Sequence, residues 1–111
     1  MKSLNLFVLT KEITEQISEY KNLIKNMPTY EDARKYAFLA IGCVNGLILV
    51  SSTLICRENN DITAQLDSLE NMFMAEIYQA MADKAKETKQ SDDIYFKLLT
   101  KRDEYREASN Y

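Results

Sequence analysis

An all-α fold, a small bundle of about four helices, is predicted by three observations. The 111 residues include two glycines and one proline, too few for the tight turns that sheets need. Apolar residues recur at steps of three and four over long stretches, the spacing of one face of a helix. Residues 36–56 carry no charge at all, which marks a helix of about 30–57 as the apolar centre of the bundle. A chain of this length forms one domain, 1–111, because two cores would each be too small. Its hydrophobic share of 46% is that of a folded chain.

In the first helix Leu6, Leu9, Ile13, Ile17, Tyr20, Ile24 and Met27 form the inward stripe. Lys11, Glu12, Glu15, Glu19, Lys21 and Lys25 supply the wet face. The helix starts at Thr10 or at Ser3, and residues 4–9 also fit a short extended arm; periodicity does not decide between them. Pro28 ends the segment, since the residue before a proline is pushed out of the helical region. Thr29 caps the second helix, with Glu31 and Asp32 meeting the positive end of its dipole.

Asn59-Asn60-Asp61 separates the second helix from the third. There the stripe is Ile62, Leu66, Leu69, Phe73, Ile77 and Met81, and the polar run Lys84 to Gln90 ends it. Ser91, Asp92 and Asp93 open a fourth helix carrying Ile94, Tyr95, Leu98, Leu99 and Tyr105. Its bases, Lys97, Lys101, Arg102 and Arg106, come late, the order the dipole favours. The tail after Ala108 is expected to fray.

The uncharged run admits two readings. In the first, helices 1, 3 and 4 wrap it, and Gly42 and Gly46 let one neighbour approach closely with Asn45 between them. In the second, 37–56 spans a membrane, with Arg34 and Lys35 against Arg57 placing the N-terminus inside. The bundle is preferred on three counts. Asn45 is a polar amide in mid-segment, Ser51, Ser52 and Thr53 make one end polar, and Asn45-Gly46 is a breaker, which leaves two shorter helices as an alternative to one of about 30–57.

Little points to chemistry. The chain has no His, which removes His-based catalysis and His-ligated metals. Ser51, Ser52 and Thr53 have no base nearby in sequence. The acid pairs Glu12/Glu15, Asp92/Asp93 and Asp103/Glu104 read as caps or solvated faces. The two glycines lie in the apolar run, so none is left for a phosphate loop. No enzyme activity, cofactor or metal is expected. A net charge of −3 argues against nucleic-acid binding. Cys43 and Cys56 on one helix stand about 20 Å apart, beyond disulfide reach, and read as small buried residues in a reducing cytoplasm. The apolar stretch Leu4 to Leu9 is too short for a signal-peptide core.

The apolar surplus points to binding. Met72 and Met74 fall on either side of the inward stripe of the third helix, which continues to Tyr78. Glu58, Asp61, Asp67, Glu70, Glu76 and Asp83 make that region acidic, without a base among them. Met-rich surfaces adapt to partner side chains. Met72, Met74, Tyr78 and Glu70 are therefore the candidate edge of a surface for another protein or a second copy. Phe7, with Leu4 and Val8, is a second candidate. The expected function is that of a non-catalytic chaperone, adaptor or inhibitor; the alternative is a small single-pass membrane protein.

Overall fold

Helix α1 runs Leu6–Asn26, α2 Tyr30–Ile55, α3 Asn60–Glu87 and α4 Asp92–Ser109. The computed structural model describes the backbone of residues 6–55 and 60–109, with side chains over 8, 10–50 and 64–109. No strand occurs among the described residues. The four-helix all-α bundle expected from the sequence is the fold found.

The helix ends follow from local chemistry. Leu6 already belongs to α1, which excludes the extended arm from that residue onward; residues 4 and 5 lie outside the described residues. Thr29 caps α2, its Oγ1 accepting the Asp32 amide at 3.1 Å, and Glu31 and Asp32 occupy the first turn. Ser91 caps α4 in the same way, accepting the Ile94 amide at 3.3 Å. Both caps satisfy an amide that the first helical turn cannot.

The second and third helices have the extents expected of them, and the division of the second into two shorter helices is not found. α2 continues through Asn45-Gly46 as one helix. The pair lowers helix stability by about 1–2 kcal/mol, and the buried stripe of α2 offsets that. α3 ends at Glu87, inside the polar run 84–90 expected to end it, and Lys84 is itself part of the inward face. Only 5% exposed, Lys84 donates from Nζ to the Lys25 carbonyl at 3.0 Å and lies 3.5 Å from the Glu87 carboxylate. Its cation thus sits at the negative end of α1.

The hub of the bundle is α3. It packs against each of the other helices, α1 and α2 also pack on each other, and among the described residues α4 packs on α3 alone. The central place expected for the uncharged helix is therefore corrected. α1 and α3 cover one side of α2, burying Ala33, Ala37, Ala40, Ile41, Val44 and Ile48. Ile13, Ile17 and Ile24 of α1 meet them with Leu66, Leu69, Phe73, Ile77 and Met81 of α3. Tyr20 joins the layers, its ring 5.9 Å from Tyr36 and 6.2 Å from Phe73. The Lys21–Glu76 ion pair at 2.6 Å ties α1 to α3 at the surface.

α4 folds back along α3. It has no fully buried residue. Tyr105 stacks on Tyr78 at 5.7 Å, Arg102 donates to Gln79 at 2.6 Å, and the Ser68 hydroxyl donates to the Ser109 carbonyl at 2.7 Å. The molecule is flat, 48 × 27 × 16 Å. Sixteen ångströms admits no more than about two helix layers, and no third layer lies over the outer side of α2.

The turn between α3 and α4 carries a testable strain. The Gln90 amide donates to the Ala85 carbonyl at 2.9 Å and the Lys89 amide to the Lys86 carbonyl at 3.2 Å. This is the paired bonding of a Schellman end. Lys89 takes the left-handed position at φ 59°, where glycine avoids a Cβ clash. Lys89→Gly is expected to raise stability by about 0.5–1 kcal/mol, read as a higher urea midpoint at unchanged slope. A lower midpoint would show that the lysine side chain has a structural role.

Candidate interaction surface

With Val44 turned inward, the 100° step of a helix puts Gly42 and Gly46 nearest the crest of the outer face of α2. Leu39 and Leu49 flank them, Phe38 and Val50 lie further round, and Cys43 and Asn45 stand at the edges. The burial agrees: Phe38, Leu39, Leu49 and Val50 are 45%, 62%, 68% and 58% exposed. Gly42, Cys43, Asn45 and Gly46 are exposed as well. Between Lys35 and Val50 the face carries no charge. Scattered exposed apolar residues are ordinary, whereas a contiguous strip of them marks an interaction site or a liability.

The helix-packing role expected of Gly42, Gly46 and Asn45 inside the bundle is corrected by this placement. A Cβ built on either glycine meets nothing within 4 Å. The small residues that bring α2 close to its neighbours are alanines. Ala33, Ala37 and Ala40 are each 0% exposed, and their spacing of four and three was the available signal for the inner side. Cys43, expected to be buried, is exposed with a free thiol. It borders α1, where burial, with Cys43 second in effect, holds the Tyr20 hydroxyl above its ordinary pKa. Cys56 lies outside the described residues.

The residues singled out on α3 divide. Met74 is 8% exposed and belongs to the core; an extra turn of the stripe toward α3's neighbours takes it inside. Tyr78 is half-buried under Tyr105 of α4, and burial raises its pKa. Met72 is 36% exposed at the edge of the helix. Glu70 is half-buried, and that burial, with Asp67 beside it, raises its carboxyl above the ordinary range. The side chain of Phe7 lies outside the described residues. The continuous apolar surface is thus on α2, and what remains of the α3 candidate is Met72 and Glu70.

A cleft of about 430 Å³ lies between α1 and α3 and is lined by Lys21, Lys25, Asp83, Lys84 and Glu87 among others. Its charges are mixed, and Lys21 and Lys84 are engaged by Glu76 and by the end of α1. Among the described residues no three of Cys, Asp and Glu gather as metal ligands. α2 over Tyr30–Val50 is long and apolar enough to cross a membrane, and a third of that window is buried. Comparison with protein families, curated proteins and solved structures finds no match to this chain.

Two substitutions separate core from surface. Met74→Asp puts a carboxylate into the core and is expected to cost more than about 3 kcal/mol. Met72→Asp should change stability by less than about 0.5 kcal/mol; similar chemical-unfolding midpoints for the two would refute this division of α3. Gly42→Ala and Gly46→Ala should each stabilise the dilute protein by about 0.5–1 kcal/mol, the helix-propensity gain with no steric penalty. A loss at either site would mean that the bundle packs closer to the glycine than 4 Å.

Proposed function

We propose that this chain is a non-catalytic protein-binding module of the chaperone, adaptor or inhibitor type, and that it binds through the outer face of α2. The observation that carries the reading is the strip Phe38, Leu39, Leu49 and Val50, exposed together on a helix whose other side is fully used in the core. Burying four such side chains against an apolar partner contributes on the order of 6 kcal/mol before the cost of association. The partner chemistry that fits is a helix with its own apolar stripe, since a convex helix face is matched by another ridge-and-groove surface.

A membrane is the second reading, because α2 has the length and composition of a span. The packing favours protein. α1 and α3 lie along the inner side of α2, and their outer faces carry Lys11, Glu12, Glu15, Glu19 and Asp83, all exposed. A span would take those charges into lipid or abandon the core. A net charge of −3 also disfavours anionic headgroups.

A photo-crosslinking residue at Leu39, with Glu104 on α4 as the control position, tests both readings in expressing cells. Protein adducts at 39 and not at 104 are expected, from material that fractionates without detergent. Adducts to lipid, or recovery only with detergent, would replace this reading with the membrane one, and no adduct at 39 would overturn it.

A further inference from the structure

The outer face of α2 matches itself. Take the level of Val44 as a centre, and pair residues equally distant from it. Phe38 pairs with Val50, Leu39 with Leu49, Gly42 with Gly46 and Cys43 with Asn45. Helical geometry alone makes exposed positions symmetric about a buried one. It does not make the residue types correspond, and here large apolar meets large apolar and glycine meets glycine. We propose that α2 pairs with α2 of a second copy, antiparallel, about a two-fold axis at Val44, with Gly42 of each copy against Gly46 of the other. The proposal rests on the protein-binding reading and names its partner.

The same arrangement satisfies sterics, charge and area. Leu39, Gly42, Gly46 and Leu49 follow steps of three, four and three, the spacing of a coiled-coil seam. Glycines at the middle allow the two backbones to approach closely, and a leucine on either side fills the widening gap. Isologous pairing requires such a self-complementary patch; a different partner would place no such demand on the residue types. Arg34 and Lys35 stand at one end of the face, and Arg34 lies over the Phe38 ring at 5.1 Å. Antiparallel pairing holds the two copies of Lys35, which stands at the crest of the face, at opposite ends, whereas parallel pairing sets them side by side with the Glu31 carboxylates near them. It also opposes the helix dipoles. At about 100 Å² for each large side chain, with the small residues between them, two copies bury about 1,000 Å². That lies at the lower bound of specific interfaces, so the pair should be reversible, with a dissociation constant on the order of 10 µM.

The full chain, with Cys43→Ser and Cys56→Ser, tests this by light scattering after size exclusion across roughly 1–500 µM, a range that brackets that constant. A concentration-dependent shift from monomer to dimer mass is expected. Gly42→Gln with Gly46→Gln should weaken the dimer at least tenfold while helicity by circular dichroism stays unchanged, because a Cβ at either position meets nothing within 4 Å in the monomer and both positions are exposed. Orientation is read from Leu39→Cys and Leu49→Cys in that background. The two variants mixed should form a mixed disulfide. Each alone should not, since like positions then stand about 15 Å apart along the axis, outside the roughly 7 Å limit. A monomer throughout, a dimer indifferent to the glycine changes, or self-linking of each variant overturns the proposal. A monomer that still gives protein adducts at position 39 overturns self-pairing alone; the lack of those adducts overturns the protein-binding reading with it.

Discussion

A helix that is apolar on every side needs neighbours on every side, and this chain supplies them on one. α1 and α3 cover the stripe from Ala33 to Ile48. The fourth helix, which could have closed the ring, packs on α3 alone among the described residues. The topology explains this. α3 and α4 are joined by the short Thr88–Ser91 turn, so α4 returns along the helix it has just left, as short connections dictate. The central position falls to α3, whose stripe serves α1 and α2 while Tyr78 and Ser68 receive α4.

The small residues of α2 divide by side. The inward alanines set how near α1 and α3 can come, and their methyl groups are fully covered. The outward glycines touch no other helix of the bundle. Small residues at steps of three and four on one side, and a second pair four apart on the other, give a single helix two close-packing faces. One of them is consumed in the fold. Large apolar side chains lie on both sides, Ile41, Val44 and Ile48 inside with the alanines and Phe38, Leu39, Leu49 and Val50 outside with the glycines.

Local signals were the legible part of the sequence. Thr29 and Ser91 cap as their residue types require, and the stripes of α1 and α3 enter the core at Ile13, Ile17, Ile24, Leu66, Phe73 and Ile77. Periodicity could not choose the inner side of α2, because an apolar run has no polar face to orient it. The alanine spacing held that information, and glycine, the smaller residue, drew attention away from it. Met74 went inward and Met72 outward because they lie about 100° to either side of Phe73, and α3 is covered on the side that Met74 shares with Met81 and Ala85 and open on the side that Met72 shares with Asp83. Lys84 was hidden by its charge: it reads as the start of a polar run, yet its stem lies in the core and its ammonium group caps α1.

The two glycines bear on what the outer face is for. Glycine in a helix interior lowers stability by about 1 kcal/mol relative to alanine, chiefly through the entropy of the unfolded chain. Neither glycine takes a positive φ, and neither is approached within 4 Å by the fold around it. Alanine would therefore serve the isolated bundle better at both sites. What glycine supplies and alanine does not is the closest approach of a second backbone. That property has no use in a single copy of the chain, and it is placed at the crest of an apolar face that the bundle leaves exposed. The helix-propensity deficit, the missing Cβ contacts and the exposed leucines on either side are consistent with one physical demand, met only when another helix lies across Gly42 and Gly46.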